Sequence, residues 1–195
     1  MKAESEATAA AESLILDRLG QALAAQGKQD QAELSFLRSL RWRIAGSGHH
    51  AATAETLENL AAVYYEMGKG DEGFAAFEQS HRLRVEIFGE NSVQAARSFS
   101  LLAAAHHLQG DLVQAEALYR RAVANLRPHA NDPCARDQLM LALVNLSLVL
   151  KEKRGDEEAA VLEADVLEKE GLGLLSSPEC PPSLGESPWG RSSGS

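Results

Sequence analysis

Apolar side chains along this chain recur at spacings of three and four, which is the period of an amphipathic helix. Within residues 54–67 these positions are Leu57, Leu60, Ala61, Tyr64 and Met67. A short polar break follows, and the same rhythm returns in residues 74–87. The pattern therefore predicts a helix, a tight turn and a second helix.

This helix–turn–helix pattern occurs four times along the chain. The polar breaks are GKQDQAE, GKGDEGF, GDLVQAE and RGDEEAA, and they start 41, 42 and 44 residues apart, at positions 27, 68, 110 and 154. A period in this range is typical of stacked helical units. One hairpin cannot bury its apolar face alone, so its neighbours must cover it. We therefore expect an all-α solenoid of about four helical hairpins.

Each copy carries a leucine at a fixed distance before its break, and a small residue follows that leucine at once. The leucines are Leu19, Leu60, Leu102 and Leu146, and the small residues are Gly20, Ala61, Ala103 and Ser147. On the second helix an aromatic residue recurs at Phe36, Phe77 and Tyr119, and the fourth copy has Glu163 there. We expect each small residue to admit the aromatic ring of its partner helix.

A glycine opens the first three breaks and can end a helix in the left-handed conformation without steric cost. The fourth break has Arg154 in that place and Gly155 one residue later, so we expect its turn to be shifted. The helix that follows it is rich in Asp and Glu. A solenoid needs a polar face where it stops, and this helix is therefore interpreted as a C-terminal cap.

These repeated residues resemble the tetratricopeptide repeat family, which has the same leucine, small residue, turn glycine and following aromatic. The period exceeds the roughly 34 residues usual for that repeat, and the longer helices resemble the kinesin light chain form. That form carries a linker similar to L-G-x-x-H-P-x-x-A before L-N-N-L-A. Segment 47–61 supplies His50, Ala54, Leu57, Asn59, Leu60 and Ala61, and segment 88–103 supplies Gly89, Ala96, Leu102 and Ala103. Ala51 and Val93 stand where proline is typical.

The resemblance spans about residues 14–168 and implies a right-handed α-solenoid that binds other proteins. We expect residues 1–13 to extend the first helix and residues 14–171 to form the repeat domain. The repeats lie at about 14–46, 54–88, 96–127 and 140–170. Residues 172–195 are rich in Pro, Ser and Gly without periodicity, which predicts a disordered tail.

Charge and composition narrow the class of function. The formal net charge of −9 argues against a nucleic-acid-binding protein, because binding phosphates requires a basic surface. No apolar run approaches the ~20 residues of a membrane span, and the N-terminus has no features of a targeting segment. The cysteines, Cys134 and Cys180, have no metal-ligand spacing, so we expect reduced thiols. These features favour a cytoplasmic protein, with the nucleus as the alternative.

No arrangement of residues suggests catalysis, a cofactor or a metal site. The phosphate-binding, dinucleotide-binding, nucleophile-elbow and zinc-protease motifs do not occur in the sequence. The pairs His49–His50 and His106–His107 invite a metal interpretation, but adjacent helical residues point about 100° apart. We therefore expect no enzyme and no metal.

The concave surface of the solenoid is the candidate binding site. First helices line the inner curve of such a stack, and their residues that face neither the core nor the outer side form a groove for a peptide or helix. Counted from each repeat leucine, the predicted groove residues are Asp17, Gln21, Glu55, Glu58, Asn59, Tyr65, Arg97, Ser100, His107, Asn145 and Lys151. The acidic residues Glu55, Glu58 and Glu66 favour a partner segment that carries Lys or Arg.

The sequence thus predicts a protein-interaction adaptor or scaffold that binds a peptide or helix of a partner in this groove. One alternative is a structural or assembly subunit of a larger complex, favoured by the apolar inner positions Val144 and Leu148. Another alternative is a co-chaperone that binds the acidic C-terminus of a chaperone, but the groove residues of this chain match such proteins less well. Of the basic and amide positions that such proteins use, only Asn59 and Arg97 agree, and Asp17 would repel a carboxylate. The sequence leaves the partner and the oligomeric state open.

Overall fold

The computed structural model describes residues 2–45 and 51–154, and all the regular secondary structure in that part of the chain is helical. The α-helices are α1 (Lys2–Ala25), α2 (Gln29–Ala45), α3 (Ala51–Glu66), α4 (Gly70–Phe88), α5 (Val93–Leu108), α6 (Leu112–Leu126) and α7 (Pro133–Arg154), and a short 3₁₀ helix spans Arg127–His129. The predicted all-α hairpin fold is confirmed. His49, His50, the predicted cap helix and the tail lie outside the described residues.

Unit 1 (Met1–Gly89) contains the first two hairpins. Helix α1 packs on α2, α2 on α3 and α3 on α4, so that consecutive helices are also neighbours in space. A cluster of buried side chains joins the two hairpins, with Ala32 and Phe36 from α2 and Leu60 and Val63 from α3. Each hairpin therefore covers the apolar face of the other, as a repeat stack requires.

The contact between the small residue and the aromatic ring is confirmed at the first repeat. A Cβ atom built on Gly20 would lie 2.7 Å from Phe36 Cε1, closer than carbon atoms approach. Only glycine lets the Phe36 ring pack against α1 at this distance. The aromatic residues of the next two repeats, Phe77 and Tyr119, are also buried.

The turns inside the first three hairpins share one geometry. Gly27, Gly68 and Gly110 have φ angles of 73°, 74° and 80°. After α3, Gly68 N–H donates to Tyr65 O at 2.9 Å and Lys69 N–H donates to Tyr64 O at 2.8 Å. These two bonds form a Schellman motif, which satisfies carbonyl groups that the helix end leaves open. The predicted left-handed turn glycines are confirmed.

Unit 2 (Glu90–Ser195) contains α5, α6 and α7 among its described elements. Helix α6 packs on both α5 and α7, and α7 also contacts α5. The segment Pro133–Lys153 of α7 is long and apolar enough to cross a membrane by length and composition, but 44% of its most apolar window is buried. Because a buried core helix passes the same test, this segment is weak evidence for a membrane span.

Leu19 departs from the repeat pattern. Its side chain is 47% exposed, whereas Leu60, Leu102 and Leu146 at the same repeat position are 3%, 8% and 2% exposed. In the second hairpin this leucine is covered by the helix of the hairpin before it, as the contact of Leu60 with Phe36 shows. No described hairpin precedes α1, so Leu19 has no such cover among the described residues.

Candidate functional site

The predicted groove residues Asp17 and Glu58 are buried, and both take part in ion pairs inside unit 1. Asp17 on α1 pairs with Arg43 on α2 and accepts a hydrogen bond of 3.0 Å from Thr56 Oγ1 on α3. Its carboxylate therefore joins three helices instead of facing a partner. The assignment of Asp17 to an open groove is wrong, because its position in the repeat faces the next hairpin.

Glu58 repeats this arrangement in the second hairpin. Its Oε1 accepts from Arg84 Nε at 2.6 Å and from Ser80 Oγ at 3.0 Å, and its Oε2 accepts from Arg84 Nη2 at 3.1 Å. The assignment of Glu58 to the groove is therefore also wrong. Its charge is balanced by Arg84, which removes part of the reason to expect a basic partner segment.

The sequence contains a signal for these two pairs. Asp17 and Glu58 each lie two residues before the repeat leucine, and Arg43 and Arg84 each lie 24 residues after it. An acid and an arginine that recur together at two fixed positions indicate a pair within the repeat. The third and fourth copies have Ser100 and Val144 at the acidic position, so the pair belongs to the first two hairpins.

Asn59 and Tyr65 also contribute to packing in unit 1. Asn59 is only 3% exposed, and its Oδ1 has no hydrogen-bond partner among the described residues. The Tyr65 ring stacks on Phe77 with ring centroids 5.8 Å apart, and burial, with a smaller contribution from Asp71, raises the pKa of Tyr65 to about 12. Neither side chain offers the open surface that the sequence predicted for it.

Two predicted residues of unit 1 remain accessible. Glu55 is exposed, and Gln21 is half-buried and accepts a hydrogen bond of 3.2 Å from Arg18 Nη1. Glu66 accepts a hydrogen bond from Gln29, which ties the end of α3 to α2. The acidic surface that the sequence predicted in this unit is therefore smaller than expected.

In unit 2 the predicted residues stay accessible. Arg97, Ser100 and His107 on α5 and Asn145 on α7 are half-buried, and Lys151 on α7 is exposed. His107 Nε2 lies 2.9 Å from Glu152 Oε2, near the C-terminal ends of α5 and α7. This contact brings the C-terminal ends of α5 and α7 together. We call this surface the α5–α7 face; it comprises Arg97, Ser100, Leu101, Ala104, His107, Leu141, Asn145, Leu148 and Lys151.

The α5–α7 face combines an apolar middle with charged ends. Leu141 and Leu148 expose 47% and 49% of their surface, and the half-buried Leu101 and Ala104 are on the neighbouring helix. Arg97 lies towards the start of α5, and Lys151 lies towards the end of α7. The ten residue-to-residue steps from Arg97 to His107 span about 15 Å of helix. Such a surface can bind an apolar segment and hold acidic groups at its ends.

The adjacent histidines of α5, His106 and His107, contact different acidic residues. His106 Nδ1 lies 3.6 Å from Asp111 Oδ2, whereas His107 bonds to Glu152. Within the described ranges no group of three or more His, Cys, Asp or Glu side chains could hold a metal ion. A separate depression in unit 1 is lined by Arg38, Arg41, Trp42 and Ala45, all from α2.

Comparison with known proteins agrees with this fold. Residues 52–127 match the sequence model of the tetratricopeptide repeat family. Among curated proteins, no sequence matches the chain significantly. The structure of BtubC (BKLC) from P. vanneervenii is similar, with a TM-score of 0.74 and 19% sequence identity over 88% of this chain and 69% of that chain. At this level of identity the likeness shows the fold alone.

Residues 52–127 match the tetratricopeptide repeat family, as the resemblance of the repeated residues indicated, and the described helical hairpins have the fold of such repeats. Tetratricopeptide repeats generally mediate protein–protein interaction, and their all-α fold is typically a non-enzymatic scaffold. Solved structures of 48 chains match this fold, so the fold by itself does not select a partner. The side chains that this chain exposes must therefore select the partner.

Proposed function

We propose that this protein is an adaptor that binds a peptide or helix of a partner protein on the α5–α7 face. One observation carries the proposal: Leu141 and Leu148 leave about half of their side chains exposed on a face that Arg97 and Lys151 flank. Exposed apolar side chains framed by charged groups are typical of protein-binding surfaces. We also propose that this activity takes place in the cytoplasm, with the nucleus as the alternative.

The charges of the face determine the chemistry of the partner. Arg97 and Lys151 are cations at the two ends, and two of the acidic residues that the sequence placed in unit 1, Asp17 and Glu58, are paired with arginines. The best-fitting segment has apolar side chains in its middle and Asp or Glu at its ends. Binding should therefore weaken as salt screens the charges.

Selection of peptides from a displayed random library on the full chain tests this proposal. Isothermal titration calorimetry then compares the selected peptide on the wild type and on the double variant Arg97→Ala, Lys151→Ala. We expect the affinity to fall at least tenfold, which corresponds to about 1.4 kcal/mol. The control is the double variant Arg41→Ala, Arg82→Ala, which removes the same two charges from exposed positions on second helices.

The control should bind the peptide as the wild type does. Both double variants should keep the helicity and the melting temperature of the parent, since all four side chains are at least partly accessible. If the control loses binding while the α5–α7 variant keeps it, the binding surface lies on the outer side and the proposed site is wrong.

A further inference from the structure

Helices α1 and α7, the first helices of the first and fourth repeats, each expose an apolar residue. The polar residues at the same repeat positions in unit 1 are buried. Ile15, four residues before the repeat leucine, is 63% exposed, whereas Thr56 and Ser98 at the same position are 0% and 2% exposed. Val144, two residues before its leucine, is 53% exposed, whereas Asp17 and Glu58 at that position are 9% and 4% exposed and Ser100 is half-buried. In unit 1, both repeat positions are therefore packed against another helix when a neighbouring repeat is present.

The second hairpin shows what these positions contact. Thr56 Oγ1 donates to Asp17 Oδ1 at 3.0 Å, from α3 to α1. The residue two before the leucine thus meets the residue four before the leucine of the following repeat. These are the two positions that Val144 and Ile15 occupy in α7 and α1. If a further repeat followed α7, its residue at the position of Ile15 would meet Val144.

The chemistry of the two exposed residues matches. Inside unit 1 the junction pairs a carboxylate with a hydroxyl, and both groups are satisfied by their hydrogen bond. Ile15 and Val144 are both apolar, so a contact between them would bury no unpaired polar group. Leu19 beside Ile15 and Leu148 beside Val144 are also about half exposed, so each exposed strip is larger than one side chain.

We propose that a second copy of this chain packs its helix α1 on helix α7 of the first copy, with Ile15 of one molecule against Val144 of the other. Burial of these strips removes apolar surface from water, which favours the contact. The interface is head-to-tail and uses two different surfaces. Such contacts generate rings when the rotation closes and open filaments when it does not. Leu148 belongs both to this strip and to the α5–α7 face, so a second copy and a bound partner segment would compete for it; the assembly is therefore measured on the chain alone.

Sedimentation velocity over about 1 μM to 1 mM tests the proposal, because contacts of modest free energy become populated in that range. For the wild type we expect an average mass that rises with concentration to at least twice the monomer mass of 21.0 kDa. Ile15→Glu and Val144→Glu should each remain monomeric alone, because each variant lacks one of the two surfaces.

Mixing these two variants is the decisive measurement. The Ile15→Glu chain keeps Val144 and the Val144→Glu chain keeps Ile15, so an equimolar mixture should form a one-to-one dimer that grows no further. Leu34→Glu is the matched control, since Leu34 is 50% exposed on α2 and the substitution adds the same charge. That control should assemble as the wild type does.

Three results would overturn the proposal. One is a wild-type chain that stays monomeric over the whole range, which would mean that the strips are covered within one molecule, for example by residues 155–195. Another is a dimer that Ile15→Glu abolishes and that mixing does not restore, which would indicate a symmetric contact between first repeats. The third is equal loss of assembly in the Leu34→Glu control, which would indicate non-specific association.

Discussion

Glu58 and Arg84 place opposite charges inside unit 1, where their side chains are 3% and 10% exposed. Removing a charge from water costs free energy, and a well-placed ion of opposite charge offsets most of that cost. Glu58 has such a partner, since Arg84 contacts both of its oxygens. The pair fixes α4 against α3 and identifies Glu58 as a packing residue.

Arg84→Met should therefore lower the free energy of unfolding by about 3–5 kcal/mol, because Glu58 would stay buried without its cation. Urea unfolding followed by far-UV circular dichroism measures this loss. Arg82→Met is the control: Arg82 is exposed on the same helix, and its replacement should change stability by no more than about 0.5 kcal/mol. Adding Glu58→Met to Arg84→Met should recover much of the loss; a loss that persists would contradict this account.

The second helix of a hairpin can pack against the first only if the chain reverses where the first helix ends. At α3 the backbone reverses through Gly68, whose φ of 74° lies in the left-handed region that favours glycine. A Cβ atom there would meet no other atom within 4 Å, so any cost of a larger residue comes from the backbone conformation. The next glycine, Gly70, begins α4 and carries no such constraint.

Gly68→Ala should lower the free energy of unfolding by about 1–2 kcal/mol, the cost of a left-handed conformation for a residue with a Cβ atom. Gly70→Ala is a matched control two residues away. Its Cβ would lie 3.9 Å from Tyr65 Cε1, an ordinary contact, so we expect no loss of stability. Equal melting temperatures for Gly68→Ala and the wild type would show that the turn tolerates the left-handed conformation without glycine.

For the whole molecule, the sequence predicted the features that have local causes. Helical period, turn glycines and the small residue beside an aromatic ring all follow from neighbouring residues, as Gly20 and Phe36 show. The groove in unit 1 was predicted less well. Whether Asp17 is solvated or buried depends on Thr56 in the next hairpin, 39 residues away. The sequence of a single helix does not distinguish a solvated polar residue from one that is buried against the next hairpin.

The described part of unit 2 also contains a carboxylate that joins repeats. Glu116 on α6 accepts from Lys153 Nζ on α7 at 2.8 Å and from Arg120 Nε at 2.9 Å. The hydrogen bond from Lys153 lowers the pKa of Glu116 against the desolvation that raises it, and Arg120 lowers the pKa further. A carboxylate whose pKa is lower when folded stabilises the fold above its unfolded pKa of about 4.3. That stabilisation is lost as the pH falls through the folded pKa.

Glu116→Gln should therefore lower the free energy of unfolding at pH 7 by about 1.5–3 kcal/mol, the range for hydrogen bonds to charged groups. The difference from the wild type should stay constant down to about pH 4.3 and shrink below it, as Glu116 of the wild type takes up its proton. Melting temperatures of both proteins across this range provide the measurement. Glu86→Gln makes the same chemical change at an exposed position on α4 and should match the wild type throughout. A Glu116→Gln deficit as large in acid as at pH 7 would mean that packing, and not the ionised carboxylate, holds α7 to α6.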